Sequence, residues 1–262
     1  MGWADWAREV EVEPSLYGAD LSRLGEQVDA LLDGGVHVFH FDVGDGHFIE
    51  PITMGPIVLQ WISERIHRTG AAVDVHLMVE NPTKYFEPVA KAGGDSVTFH
   101  FEAVDDVAAT IAAAREHSLG VGIAFNPETE PADVAGVARD ADIVLCMSIH
   151  PGYSGQPFQE RTYGRVQELR ALLPAHIRIQ VDGGVGESNI VGLLDAGTSL
   201  FVAASSIFNA PDPVAAYREL DRAVRLASRA RSSSRTAPTS EHIRSRRSAR
   251  CSSATAPRLR KA

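Results

Sequence analysis

Cysteine is scarce in this chain, with Cys146 and Cys251 the only two. Cys146 lies in the apolar run Ile143-Val-Leu-Cys-Met147 and Cys251 in a polar segment. The two make a poor structural disulfide, so a reducing cytoplasm is the expected setting. Long apolar runs are also missing. No stretch approaches the roughly 18 apolar residues of a membrane helix, so no membrane partner is expected. Residues 1–13 carry acidic side chains and no long apolar run, which argues against a secretory leader. Proline and glycine, 14 and 22 in 262 residues, are too few for a fibrous or collagen-like chain.

What is present suits one large α/β domain. A hydrophobic content of 44% supplies a sizeable core, and the length fits an α/β barrel of about 250 residues. Short β-rich runs near 10–16, 36–43, 72–79, 95–101, 120–125, 142–148, 177–182 and 199–204 alternate with helical stretches. Leu21, Leu24, Val28, Leu31 and Leu32 form one apolar helical stripe. Another helix follows the turn signal Asn81-Pro82. Alternation of this kind implies parallel pairing. No GxGxxG follows the first strand, and eight units fit a closed (β/α)₈ TIM barrel better than an open sheet. The barrel is expected over residues 1–228.

Charge is divided unevenly. Residues 229–262 hold nine arginines and Lys261 against Glu241, a net of +9. The whole chain is −9, which leaves about −18 on residues 1–228. The Ser/Arg-rich segment 229–262 has almost no bulky apolar residue and is expected to be a disordered basic tail. A basic tail can touch nucleic acid, but a solvated extension with no dedicated partner is the expectation.

Four residues stand out as a metal or acid–base set: His40 and Asp42 at the end of the second strand, His76 at the end of the third, and Asp182 at the end of the seventh. Strand residues at i and i+2 share a face, so His40 and Asp42 both point into the barrel mouth, where such enzymes place their chemistry. Two imidazoles and two carboxylates suit Zn²⁺, Fe²⁺, Mn²⁺ or Co²⁺, and the carboxylates can also exchange protons with a substrate. A single strand-end histidine is usually structural, and histidine is common here, but four such residues at strand ends of one architecture point together. Small residues supply an independent signal. Pro151-Gly-Tyr-Ser-Gly155 follows the sixth strand, Asp182-Gly-Gly184 the seventh, and Ala204-Ser-Ser206 ends the eighth. Loops of this kind let backbone N–H groups close around a phosphate, although glycines also serve plain turns.

The runs His40-Phe-Asp-Val-Gly-Asp-Gly-His-Phe48, Asp74-Val-His-Leu-Met78, Met147-Ser-Ile-His-Pro-Gly-Tyr-Ser-Gly-Gln156 and Val181-Asp-Gly-Gly184 resemble the ribulose-phosphate 3-epimerase family, in that family's order, over about residues 12–220. The resemblance implies one divalent metal held by His40, Asp42, His76 and Asp182, with Asp42 and Asp182 as base and acid. It implies Ser15 near a sugar-phosphate substrate, and phosphate held by Gly152, Tyr153, Ser154, Gly155, Gly183, Gly184, Ala204 and Ser205. His76, Met78 and Met147 are further substrate-site candidates, the methionines reading equally well as core. A homo-oligomer is expected. The chain departs from the family pattern at Ser15-Leu-Tyr-Gly-Ala-Asp20, Gly44, His150, Ser154 and Ala204. D-ribulose 5-phosphate is the expected substrate, allulose 6-phosphate the nearest rival, and an inactive sugar-phosphate-binding barrel the reading from another class. Decarboxylases of the same architecture carry Asp-x-Lys-x-x-Asp after a strand, but no lysine occurs from Val36 to Glu80.

Overall fold

The computed structural model describes residue 3 and residues 7–153 and 155–236. Its eight strands are β1 (Glu11–Pro14), β2 (Val38–Gly44), β3 (Ala72–Met78), β4 (Ser96–His100), β5 (Gly120–Phe125), β6 (Ile143–Met147), β7 (Arg178–Asp182) and β8 (Leu200–Ala203). All pair in parallel in the order β1-β8-β7-β6-β5-β4-β3-β2. A parallel bridge between Ser15 and His40 joins the two ends, and the sheet becomes the expected (β/α)₈ barrel.

The helices between the strands are α1 (Leu24–Asp33), α2 (Pro56–His67), α3 (Thr83–Ala92), α4 (Val107–Glu116), α5 (Pro131–Val137), α6 (Thr162–Leu172), α7 (Ile190–Ala196), α8 (Ser205–Phe208) and α9 (Pro213–Thr236). Local chemistry sets their ends. Proline opens α2 and α5, where its missing N–H costs no hydrogen bond. The Asp106 carboxylate accepts the Ala109 N–H at the start of α4. The apolar core lies between the outward strand faces and the helices, with Phe39, Phe41, Phe99 and Phe201 fully buried against Leu31, Leu59, Ile66 and Phe86.

Two expectations are corrected. Leu21 does not join the buried stripe of α1. It sits in a preceding 3₁₀ turn, capped by Asp20, and is 55% exposed. The boundary expected after residue 228 falls inside α9, which runs on to Thr236. Alanine and arginine are good helix formers, and Arg231 reaches back to the Leu194 carbonyl and to Asp195 on α7. The remainder of the basic tail lies outside the described residues. Among the described residues no helix is long and apolar enough to cross a membrane.

Inside the barrel, side chains stack in layers. Trp3, Val38, Ile143 and Leu200 fill the bottom. Gly120 leaves room for this plug, since a Cβ there would stand 3.1 Å from the Trp3 ring. The layers above turn polar toward the C-terminal ends of the strands, where the candidate residues lie.

Candidate active site

Register brings the four strand-end residues together. Asp42 lies opposite His76 across β2 and β3, and Asp182 opposite Met147 across β6 and β7. One ligand atom from each of His40, Asp42, His76 and Asp182 lies within 4.8 Å of all the others. His76 Nδ1 is 3.1 Å from Asp42 Oδ1 and 3.8 Å from Asp182 Oδ2, and His40 Nε2 is 3.4 Å from Asp42 Oδ1. Both ring nitrogens of His40 are buried without an aligned hydrogen-bond partner. Such orphans are costly unless something else binds them, and a first-row divalent ion fits this donor set.

Neighbours orient the donors. Ser15 Oγ donates to Asp42 Oδ2 at 2.6 Å. His76 turns Nδ1 to the cluster because its Nε2 is 2.9 Å from His100 Nε2. The Nδ1 of His100 is in turn 3.3 Å from Glu102 Oε2. Partners behind a metal-binding imidazole commonly fix its tautomer in this way.

The cluster divides its protons unequally. Burial alone would raise Asp42, yet His40 and His76 outweigh it and hold the carboxyl well below the usual carboxylate range. Asp182 goes the other way, pushed up to about 7 by burial and by the charge of Asp42. Burial opposes the charged form of His40, but Asp42 and Asp74 more than compensate and raise it. Burial lowers His76, and pushes His100 down to about 4. Two acids in one site with opposed proton affinities form a base and an acid at the same pH.

Above the cluster opens a cavity of about 530 Å³, counting space open to solvent. Ser15, Asp42, Met78, Met147 and Asp182 line its base, and Met78 and Met147 are almost fully buried. Gly152, Tyr153, Gly155, Gly183, Gly184, Ala204 and Ser205 form its rim. These are the sequence candidates, save His40 and His76, which sit below among the ligands, and Ser154, which lies outside the described residues. Gly183 and Gly184 have φ of +115° and +62°, conformations that favour glycine. The N–H groups of Gly184 and Ser205 donate to no other group of the described chain.

Sequence reasoning missed several residues of the site. Tyr17, Ile149 and Val185 also line the cavity, and His100 and Glu102 stand behind His76. His100 is the last residue of β4, as His76 lies near the end of β3, and that was the available signal. Gly44 has a local reason. A Cβ there would meet Ile49 at 2.5 Å and the Pro51 carbonyl at 2.9 Å, so the loop after β2 folds over this position.

The family model described as "Ribulose-phosphate 3 epimerase family" matches residues 11–208. A ribulose-phosphate 3-epimerase of Serratia marcescens is 39% identical over 204 residues, 77% of this chain and 96% of that protein. One of Escherichia coli (strain K12) is also 39% identical, over 77% of this chain and 90% of its own length. Among solved structures, 3-hexulose-6-phosphate synthase from Salmonella typhimurium superposes with a TM-score of 0.63 at 19% identity, covering 83% of this chain and 99% of that one. Orotidine 5'-phosphate decarboxylase from Pyrococcus horikoshii OT3 gives 0.62 at 15%, over 82% and 99%. These last two likenesses concern the barrel alone.

Proposed function

The chain belongs to the ribulose-phosphate 3-epimerase family, and from that premise we propose that it interconverts D-ribulose 5-phosphate and D-xylulose 5-phosphate by proton transfer at C3. Membership makes it an isomerase-class enzyme. The observation that carries the mechanism is the pair Asp42 and Asp182, brought from β2 and β7 into one cluster with opposed proton affinities.

In this reading the Asp42 carboxylate takes the C3 proton. The C–H electron pair moves toward the ketone, giving an enediolate, and the Asp182 carboxyl returns a proton to the opposite face of C3. The reverse reaction exchanges the two roles. His40, Asp42, His76 and Asp182 would hold one divalent ion of Zn, Fe, Mn or Co. When bound, that ion supplies positive charge to stabilise the oxygen anion that develops on the substrate. Ser15 holds Asp42 in place through its hydrogen bond. Met78 and Met147 wall the reacting carbon from water, and the unengaged N–H groups of Gly184 and Ser205 support a phosphate site at the rim. Tyr153, Gly152, Gly155, Gly183 and Ala204 complete that rim in the proposal.

Assembly and location belong to the same reading. Exposed Ile57 and Trp61, 71% and 78% accessible, support a homo-oligomer. The buried free thiol of Cys146 suits a reducing cytoplasm. A panel of ketose phosphates tests the substrate. Ribulose 5-phosphate is expected to give the highest kcat/KM, and a higher value with allulose 6-phosphate would overturn the assignment.

A further inference from the structure

Beneath the metal-binding cluster, the barrel carries a layer that packing alone does not explain. Barrel interiors are usually filled by branched apolar side chains, as by Val38, Ile143 and Leu200 at the bottom here. Between that plug and the metal-binding cluster lie Glu13, His40, Asp74, Thr98 and Gln180, all with no exposure. A carboxylate buried beside a second buried acid is costly to keep unless hydrogen bonds hold it.

Among the described residues, neutral donors and His40 attend to them. Asp74 Oδ1 accepts from Ser96 Oγ at 2.7 Å and from Thr98 Oγ1 at 3.1 Å. Gln180 Nε2 donates to Asp74 Oδ2 at 3.1 Å and to Glu13 Oε2 at 2.5 Å, so one amide bridges both acids. Gly122 makes space for this arrangement, since a Cβ there would stand 2.3 Å from Thr98 Oγ1. The Asp74 Oδ2 atom bridged by Gln180 is also 3.2 Å from His40 Nδ1, while Glu13 is 4.0 Å away from it. Asp74 is therefore the nearer of the two acids to the ring nitrogen that faces away from Asp42, within reach of it though not aligned as a hydrogen bond.

We propose that Asp74 is a positioning residue for the metal-binding His40, taking its Nδ1–H so that Nε2 is left bare toward the ligand cluster, with Gln180 clamping Asp74 in place. The proposal rests on the reading of His40 as a ligand. Carboxylates behind metal-binding histidines set the tautomer and raise ligand basicity, and their loss weakens metal binding about 10–100-fold. The two hydroxyls on Oδ1 and the amide on Oδ2 leave the Asp74 carboxylate little freedom to turn, which is what a positioning role requires.

The test uses full-length protein stripped of metal, with Co²⁺ affinity measured by competition against a chelating indicator. Asp74→Asn is expected to bind Co²⁺ about 10–100-fold more weakly while the metal-free melting temperature stays near that of the parent. Thr98→Ala removes one hydroxyl from Asp74 and keeps the test open if Asp74→Asn fails to fold. Its expected loss is roughly 2- to 10-fold, the worth of one hydrogen bond. Imidazole ¹⁵N spectra of the Zn²⁺-loaded protein should assign the Nδ1–H tautomer to His40 in the parent and a mixture in Asp74→Asn. Co²⁺ affinity within twofold of the parent in each variant that folds, with the His40 tautomer unchanged, would overturn the proposal. Failure of the underlying reading looks different: His40→Ala would then bind Co²⁺ as tightly as the parent, and the proposal would fall with it.

Discussion

Replacing Gly183 by alanine probes the join between the catalytic strand β7 and the phosphate rim. Its φ of +115° lies in a region that a side chain rarely adopts, a strain of about 1–3 kcal/mol. The new Cβ would also stand 2.4 Å from Ile149 Cγ1 and 3.0 Å from the Ile149 backbone nitrogen. The backbone atom cannot swing aside as a side-chain tip can, and overpacking adds about 1–3 kcal/mol. Together the two effects predict a loss of about 2–6 kcal/mol, or roughly 4–24 °C in melting temperature for a domain of this size. Function should suffer in a particular way. Ser148 pins the two loops together, its N–H and Oγ both donating to the Asp182 carbonyl at 2.8 and 2.7 Å. Pushing Ile149 away from Gly183 spreads the rim, so KM should rise more than kcat falls. Gly155→Ala is the internal comparison, because its φ is +82° but nothing lies within 4 Å of a Cβ there. Thermal melts and steady-state kinetics of both variants decide the matter. Equal losses in the two would refute the role given to the Ile149 contact.

Removal of His76 by His76→Ala should abolish stoichiometric metal binding, measured by elemental analysis, since its Nδ1 lies close to both Asp42 and Asp182; unchanged metal content would sink the ligand assignment. The contribution of Asp182 to the stability of the metal-free protein should fall as pH rises from about 4 to about 7. In that window the unfolded chain releases a proton that folded Asp182, raised from 3.8 to about 7, still keeps. Glu13, pushed up to about 8 by burial and Asp74, acts in the same direction, while the lowered His76 and His100 act against both below 6.5, so the contribution of Asp182 is read as the difference in melting temperature between the parent and Asp182→Asn. That difference should shift against the parent from pH 4.5 to pH 7, and a difference that does not change with pH would contradict this. Deleting residues 229–262 should lower the melting temperature by a few degrees, as it removes the last two turns of α9 and the Arg231 contacts to α7, and an unchanged melt would show that those turns contribute nothing.

The strands were legible because barrel strands are short β-branched runs buried on both faces. The run Ala72-Val-Asp-Val-His-Leu-Met78 is an example, all seven residues buried. The strand-end ligands were legible because polar residues at the end of such a run have few structural uses. The polar layer below them was not. Glu11-Val-Glu13 alternates as a half-exposed strand would, yet both acids have no exposure, and local periodicity cannot distinguish a polar barrel interior from solvent. Glu11 pairs with Arg8, which in turn reaches Tyr217 on α9 at 3.1 Å, a contact over two hundred residues away in sequence. His100 was hidden among ten histidines, since its role depends on which strand stands beside β3. The end of α9 was misplaced because a Ser/Arg composition resembles a solvated segment, while the helix is held partly by a distant carbonyl on α7.

In the proposed mechanism two carboxylates move one proton off and another onto C3 of a pentulose phosphate. Incubation of the parent protein with D-ribulose 5-phosphate in D₂O, followed by NMR, tests it most directly. The xylulose 5-phosphate formed is expected to carry deuterium at C3. Asp182→Asn should exchange the C3 proton of ribulose 5-phosphate with solvent while losing epimerisation about 10²–10⁴-fold, with Asp42→Asn exchanging only the xylulose epimer. Product formed without deuterium at C3, or either variant epimerising at the parent rate with metal bound, would contradict it.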